Sequence, residues 1–132
     1  QGWRPYDQTQ FSGFYTIAEG ERIDDALRAL SPFDKRVSLD LKGAINRPPL
    51  ERTPEVVALF RRARELAASF GYELNETQVG GASDGNFVAA LGVPIIDGLG
   101  VTGAGAHMLT EHIKVSDIAP RATLITLLLE NL

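Results

Sequence analysis

Apolar side chains recur with the period of a helix in two well-marked parts of the sequence. Thr16 is followed three residues later by Glu19, which has the form of a capping box at a helix start. The apolar stripe behind it consists of Ile23, Ala26, Leu27 and Leu30. A second helix is predicted between the cap Thr53, with Pro54 at its first position, and Gly71. Its predicted buried face is Val56, Leu59, Phe60, Ala63, Leu66, Ala67 and Phe70.

A third helix is predicted at the end of the chain, and several shorter segments have the pattern of strands. Ser116 or Asp117 is the expected cap of the last helix. Its predicted buried positions are Ile118, Ala122, Ile125, Leu128 and Leu129. Alternating or short continuous apolar runs predict strands. These are Phe14–Thr16, Val37–Leu41, Tyr72–Val79 and Val93–Asp97, and His112 lies in a further short strand.

Proline and glycine divide this pattern into two parts. Residues 43–52 form a boundary, because Asn46-Arg47-Pro48-Pro49 fits neither a helix nor a central strand. The turn Gly80–Gly85 joins a predicted strand to a short helix that ends near Gly92. The sequence therefore predicts an α/β fold, in which a β-α-β unit is followed by α-β-α-β-loop-α.

Composition narrows the possible functions. The chain has 132 residues, of which 44% are hydrophobic and 23% are charged, as in ordinary globular proteins. A net charge of −4 argues against a nucleic-acid partner, since binding to phosphates needs clustered Lys and Arg. The absence of cysteine excludes disulfides, thiolate nucleophiles and Cys-based zinc sites. No apolar run approaches the length that spans a bilayer, so no membrane partner is expected.

The segment Gly98–Gly103 has the spacing G-x-G-x-x-G directly after a predicted strand. A dinucleotide site requires that the third glycine opens a helix, whose N-terminus receives the pyrophosphate. Here Gly105 and His107 follow, and no long helix is predicted before about residue 117. Nucleotide binding is therefore kept only as the weaker alternative.

His107 follows the glycine-rich stretch 98–106. Glycines permit unusual backbone angles and close approach, so such a loop can hold an imidazole at a defined position. The alternative is a surface histidine with no ligand role. One imidazole is not a zinc site by itself, because zinc takes three or four N, O or S ligands.

Two further segments have the residue types that bind anions. In the turn Gly80–Gly85, successive backbone N–H groups and the Ser83 hydroxyl could cradle an anion. Equally, Ser83 or Asp84 could simply cap the helix that follows. Arg47, beside two prolines, could grip a carboxylate with both arms of its guanidinium, or it could be a hinge residue paired with a local acid.

Taken together, these segments resemble one family of enzymes. The motifs are Asn46-Arg47-Pro48-Pro49, Gly80-Gly81-Ala82-Ser83-Asp84-Gly85-Asn86-Phe87, Leu91-Gly92-Val93-Pro94 and Gly103-Ala104-Gly105-Ala106-His107, with Glu111 four residues later. In this order they resemble the two-zinc peptidases and amidohydrolases that include glutamate carboxypeptidase, succinyl-diaminopimelate desuccinylase, acetylornithine deacetylase and aminoacylase.

The resemblance implies a partial zinc-exopeptidase-like catalytic domain, preceded by a β-α-β remnant of the lid domain that makes the dimer. On this pattern residues 14–45 are the partial lid, residues 46–53 the hinge and residues 54–132 the last segment of the catalytic domain, while residues 1–13 match nothing. His107 would be a zinc ligand. Substrate would be bound by Asn46, Arg47, Gly81, Ala82, Ser83 and Asp84.

The expected activity is zinc-dependent hydrolysis of a peptide or N-acyl amide bond near a free carboxylate, with two zinc ions, or cobalt or manganese, in the complete enzyme. The expected partners are a small peptide or N-acyl amino acid and a second copy of the protein. The expected location is the cytoplasm, with the periplasm or secretion as the alternatives. The sequence has no His-x-Asp and no Glu-Glu pair, so the other ligands and the catalytic Glu base are missing. This chain alone is therefore expected to be inactive. The main alternative is a non-catalytic dimerisation or regulatory domain derived from the same family.

Overall fold

A computed structural model describes residues 14–131 of the chain, so the unassigned segment 1–13 lies outside the described residues. Two compact units are present. The first unit comprises residues 14–51 and 79–93, and the second unit comprises residues 52–78 and 94–131. The fold is mixed, with helices and one two-stranded sheet. No helix in this part of the chain is long and apolar enough to cross a membrane.

The first unit contains helices α1, Ile17–Arg28, and α3, Gly85–Ala89. Thr16 caps α1 as predicted, since its Oγ1 accepts the Glu19 backbone N–H at 3.2 Å. In a capping box the Glu side chain also accepts the backbone N–H of the cap residue. Here the Glu19 carboxylate binds Arg22 at 2.6 Å instead. At the other end of α1, Arg28 binds Asp24 at 2.7 Å and the Gly43 carbonyl at 2.9 Å. The helix prediction is confirmed, and polar contacts hold both of its ends.

The strands predicted on either side of α1 were wrong. Residues 14–16 and 37–41 have no strand pairing, and Val37 and Leu39 are 59% and 53% exposed. An alternating pattern makes a strand only where a neighbouring strand accepts its hydrogen bonds. Within residues 14–131 the structure contains one pair of strands, and both lie in the second unit. The predicted β-α-β unit is therefore represented by its helix alone.

The second unit is built on helix α2, Pro54–Ser69. Thr53 caps it by accepting the Val56 N–H at 3.3 Å, and Gly71 follows its end with φ 76°, as the sequence predicted. The predicted face is also confirmed: Ala63, Leu66 and Ala67 are buried, and Val56, Leu59, Phe60 and Phe70 are half-buried. Leu74 joins the same core from the segment after the helix.

The last helix, α4, spans Ile118–Asn131 and is entered through a 3-10 turn, Val115–Asp117. Its predicted face was wrong except at Leu128. Leu124 and Leu128 are buried against the α2 core, whereas four other predicted positions are exposed, namely Ile118, Ala122, Ile125 and Leu129. The helix is apolar on nearly all sides, so periodicity alone could not select the inward face.

The sheet consists of β1, Gly103–Ala104, and β2, His112–Ile113, paired antiparallel with Gly103 opposite Ile113 and Ala104 opposite His112. The predicted strand at His112 is thus confirmed. The predicted strands over residues 72–79 and 93–97 were wrong, because these segments likewise have no partner strand in the part of the chain that the structure describes. Ile96 nevertheless packs against the core of the second unit.

Candidate functional site

Arg47 is held in the first unit by three features. Its guanidinium lies over the Phe87 ring, 4.9 Å from the ring centroid, where the aromatic face attracts a cation. Its Nη1 lies 3.3 Å from Oδ1 of Asp84. The prolines at positions 48 and 49 restrict the backbone that follows it. The Arg47 side chain remains 37% exposed, so its charge is positioned but still reachable from solvent.

Asn86 joins the Arg47 segment to the glycine turn. Its Nδ2 donates to the Pro48 carbonyl at 2.8 Å, and its Oδ1 accepts the Ser83 N–H at 2.8 Å. Asn86 is only 6% exposed, so both bonds form away from water. Sequence analysis placed Asn86 in a motif but gave it no role. A side-chain amide has both a donor and an acceptor, which is what a bridge between two loops requires.

The glycine turn uses part of its own hydrogen-bonding capacity. The Ser83 N–H binds Asn86, and the Ser83 hydroxyl accepts the Gly85 N–H at 3.1 Å. Two donors of the hypothetical anion cradle are therefore already bonded within the first unit, which favours the turn interpretation. Asp84 occupies the cap position of α3 without a side-chain cap bond, and its carboxylate faces Arg47 instead. Gly81, Ala82 and Asn46 are exposed.

His107 lies in the second unit, in the loop that connects β1 to β2. Its φ is +64°, in the left-handed region that residues with a Cβ rarely adopt. Its backbone N–H donates to Oε2 of Glu111 at 3.3 Å, and the turn is closed by Met108 N–H to Gly105 O at 2.9 Å. The fold thus constrains the backbone of His107 while leaving the residue exposed.

The glycines before His107 are required by this hairpin. A side-chain carbon at Gly103 would collide with the His112 carbonyl oxygen on the opposite strand. Gly105 has φ 73° and lies against the Thr110 carbonyl. Because Gly103 begins a strand instead of a helix, the segment 98–103 lacks the helix N-terminus that dinucleotide binding needs. The glycine-rich stretch therefore forms a hairpin that presents His107.

The described residues do not provide a complete set of metal ligands. Residues 14–131 contain no group of three or more His, Asp or Glu side chains that could hold a metal ion together. Zinc in proteins takes three or four protein ligands, or three and a water molecule. The exposed imidazole of His107 can supply one of them. The residues present thus fit one share of a metal site and not a complete one.

A buried carboxylate at Asp117 stands beside this hairpin. Asp117 is 6% exposed and accepts hydrogen bonds from the Tyr72 hydroxyl at 2.8 Å and the Thr102 backbone N–H at 3.0 Å. The Thr102 N–H, and after it the Tyr72 hydroxyl, hold the pKa of the Asp117 carboxyl well below its usual range. Burial, and the bond to Asp117, raise the pKa of Tyr72. The sequence predicted only a helix cap here.

The structure thus brings Arg47, Ser83 and Asp84 together in the first unit. His107 belongs to the second unit, where Glu111 and Asp117 are tied to the same hairpin.

Comparisons with known proteins agree with the sequence motifs. The profile of peptidase family M20/M25/M40 matches residues 11–131. Succinyl-diaminopimelate desuccinylase of Acinetobacter baylyi is 37% identical over 62 residues, which are 47% of this chain and 16% of that protein. The protein of the same name from Xanthomonas campestris pv. campestris is 38% identical over 81 residues, 61% of this chain and 21% of that protein.

The matched region therefore spans only about a fifth of the length of these curated relatives. No solved structure gives a significant match. The family profile extends over both units and includes the Arg47 segment, the glycine turn and the His107 hairpin. The chain belongs to peptidase family M20/M25/M40, a family of hydrolases whose members generally use metal ions.

Proposed function

We propose that this chain is the C-terminal part of a zinc-dependent hydrolase that cleaves a peptide or N-acyl amide bond near a free carboxylate. Membership of a peptidase family supports hydrolysis. The observation that carries the carboxylate preference is the Arg47 guanidinium, which lies over Phe87 and beside an exposed acid in a proline-stiffened segment. The relatives named as desuccinylases agree with an N-acyl amino acid as substrate.

Arg47 is the group that binds the substrate in this proposal. Its planar guanidinium can donate two parallel N–H bonds to a carboxylate, which a lysine ammonium cannot do. The Phe87 face and the prolines reduce the freedom that Arg47 would lose on binding, so more of the contact energy remains for affinity. The substrate carboxylate would then be placed at a fixed distance from the bond to be cleaved.

In the absence of substrate, the Asp84 carboxylate pairs with the Arg47 guanidinium. Its side chain is 92% exposed and makes a 3.3 Å contact, so the pair is weak and easily exchanged. A substrate carboxylate that binds with both oxygens would displace it. Asp84 would then act as a competitor that keeps the guanidinium in place between turnovers.

His107 is the metal-binding residue of this chain in the proposal. When bound, zinc would supply Lewis-acid chemistry, namely polarisation of a carbonyl group and activation of water. The His107 imidazole would bind that ion, and the backbone that carries it is constrained by the hairpin and by the bond from the His107 N–H to Glu111. The remaining ligands and the catalytic Glu base would come from sequence outside this chain, as would the second zinc ion's site. We also propose that the complete protein is a cytoplasmic homodimer.

The proposal is tested with the full-length protein and pairs of substrates. Each pair is an N-acyl amino acid and the same compound with its carboxylate converted to an amide. Hydrolysis of the acid, loss of that activity with a chelator and recovery with zinc are expected. If both compounds are cleaved with equal kcat/KM, the carboxylate preference is wrong, although the hydrolase assignment stands.

One observation favours the alternative of a dimerisation or regulatory domain. The first unit exposes a group of apolar side chains around a shallow depression, lined by Leu27, Arg28, Leu30, Leu39 and Leu41. Exposed apolar groups of this kind are typical of protein interfaces. The same full-length protein distinguishes the two functions, because a stable dimer without zinc-dependent hydrolysis would favour the regulatory domain.

A further inference from the structure

We propose that Asp117 is a positioning residue that fixes both strands of the His107 hairpin at their bases. This proposal rests on the proposed role of His107 as a metal ligand, but the hairpin contacts themselves do not depend on it. Asp117 lies ten residues after His107 in the sequence, at the entry to α4.

The Asp117 carboxylate divides its two oxygens between two parts of the second unit. Oδ1 accepts the Tyr72 hydroxyl at 2.8 Å, which ties it to the segment that follows α2. Oδ2 accepts the Thr102 N–H at 3.0 Å, and Thr102 is the residue immediately before β1. One oxygen therefore contacts the scaffold, and the other contacts the first strand of the hairpin.

The second strand of the hairpin is bonded to the same residue. The backbone N–H of Asp117 donates to the Lys114 carbonyl at 2.9 Å, one residue after β2 ends. Lys114 in turn donates its N–H to the Thr102 carbonyl at 2.8 Å, so the two strands are also bonded to each other at the open end of the hairpin. Asp117, Thr102 and Lys114 thus form a closed ring of three hydrogen bonds below the β1–β2 pair.

Arg121 stabilises the negative charge of the buried Asp117 carboxylate. Its Nε lies 3.4 Å from Oδ2 of Asp117, and its side chain is 13% exposed. The guanidinium also lies over the Tyr72 ring at 5.4 Å and within 3.5 Å of the Gly98 carbonyl. A buried carboxylate needs such a partner and several donors, and Asp117 has both. A carboxylate that only capped α4 would not need bonds to Tyr72 and Thr102.

The two oxygens allow an experiment that separates positioning from stability. Tyr72→Phe removes the scaffold bond of Oδ1 and leaves the Thr102 bond of Oδ2 in place, whereas Asp117→Ala removes both. Asp117→Asn is the conservative variant, because its amide oxygen can still accept the Thr102 N–H. All three variants are made in the full-length protein, and zinc affinity is measured with zinc alone by competition with a chelator.

We expect Asp117→Ala to speed hydrogen exchange at the Thr102 and Lys114 amides and to weaken zinc binding by about tenfold or more, the scale seen when a supporting contact of a metal ligand is lost. Tyr72→Phe should lower Tm while leaving zinc affinity within about threefold of wild type, a change worth less than about 0.7 kcal/mol. Asp117→Asn should recover most of the zinc affinity.

Two results would overturn the proposal. In the first, Asp117→Ala and Tyr72→Phe weaken zinc binding equally when compared at temperatures of equal stability. In the second, the Thr102 and Lys114 amides exchange at wild-type rates in a folded Asp117→Ala protein. Failure of the metal role is seen separately, because His107→Ala would then leave zinc affinity unchanged while the exchange result still reports on the hairpin.

Discussion

The two units of the protein are stabilised in different ways. The second unit buries an apolar core from three segments, with Ala63, Leu66, Leu74, Leu124 and Leu128 among its members. The first unit, within the residues that the structure describes, buries only Gly20 and Asn86. It is held by the Thr16 cap, the bond from Asn86 to Pro48 and several exposed ion pairs. Apolar burial is the dominant stabilising term in folding, and exposed ion pairs contribute little.

This difference indicates how the chemistry is distributed. The residue proposed to bind metal lies in the unit with a core, on a hairpin with several backbone bonds. The residue proposed to bind the substrate lies in the unit without one, where a small rearrangement costs little. A ligand of a metal ion needs a fixed position within a stable scaffold, whereas Arg47 is restrained by its local contacts with Phe87 and Asp84. Mutations in the two units should therefore have different consequences.

The largest expected effect is on the metal ligand of the second unit. In the full-length protein His107→Ala should reduce turnover by more than about 100-fold, because loss of a direct ligand exceeds the 10- to 100-fold cost of losing a supporting contact. Folding should persist, since the imidazole is exposed. Zinc content and kcat are the measurements. Turnover within about tenfold of wild type, or about 1.4 kcal/mol in the barrier, would contradict a ligand role.

The next effect concerns the core of the second unit in the 132-residue chain. Leu124 is fully buried, so Leu124→Ala should lower the free energy of unfolding by about 2–5 kcal/mol. Leu129, on the same helix, is 81% exposed, and Leu129→Ala should change it by about 0.5 kcal/mol or less. Urea denaturation gives both values. Equal losses for the two variants would show that α4 packs through a different face.

A smaller effect is expected at the carboxylate-binding residue of the first unit. In the full-length protein Arg47→Lys should lower kcat/KM for a substrate with a free carboxylate by about 1.5–3 kcal/mol, the scale of hydrogen bonds to charged groups, or roughly 10- to 150-fold. Tm should hardly change, because the Arg47 contacts are partly exposed. A variant that unfolds instead would assign Arg47 a structural role.

Amidation of the substrate carboxylate provides the control for Arg47. If Arg47 binds that carboxylate, the amidated substrate should lose little further activity in Arg47→Lys, since the partner is already absent. If the losses from mutation and from amidation simply add, Arg47 is a hinge residue paired with Asp84.

The smallest effect is the acid dependence of stability in the two units. The pKa of Asp117 is depressed in the folded state, so its contribution is complete above its ordinary pKa of about 3.9 and is lost as the pH falls below that value. Tyr72 and Arg121 are the ionisable groups that face it. Asp117→Asn should flatten the decline of the urea midpoint between about pH 5 and pH 2.

Asp34 offers the matched acid in the first unit. A side-chain bond from Arg36 lowers the pKa of Asp34, but the Arg36 side chain is 90% exposed, so solvent screens the pair. Asp34→Asn should change the same pH profile less than Asp117→Asn does. Profiles that change equally in both variants would contradict the contrast between the two units.

The sequence predicted helices well and strands poorly, for a physical reason. A helix closes its hydrogen bonds locally, so the caps Thr16 and Thr53 and the stop at Gly71 could be recognised from neighbouring residues. A strand needs a partner that may lie anywhere in the chain, and the segment 37–41 has none among the described residues. The inward face of α4 could not be predicted either, because the helix has apolar residues of its own on nearly all sides.

The residues of the candidate site that belong to a sequence motif could be predicted. The contacts that these residues make with distant parts of the chain could not. Motif order identifies Arg47 and His107, whereas the contact of Arg47 with Asp84 and the left-handed backbone of His107 appear only in the structure. The pairing of Arg47 with Asp84 joins positions 37 residues apart, and the bond from Tyr72 to Asp117 spans 45 residues. No local pattern indicates such contacts. The only signal for Asp117 in the sequence is that it is an acidic residue at the start of an apolar helix, where a buried carboxylate would need a partner.

The left-handed backbone of His107 has a consequence for which substitutions this position can accept. Asparagine and aspartate are the residues besides glycine that tolerate this backbone best. Both are one nucleotide away from histidine in the genetic code. A duplicated gene could therefore exchange the imidazole for an amide or a carboxylate in one step, while the hairpin keeps its shape. Substitution of His107 by asparagine or aspartate should therefore preserve the hairpin better than substitution by a β-branched residue such as valine.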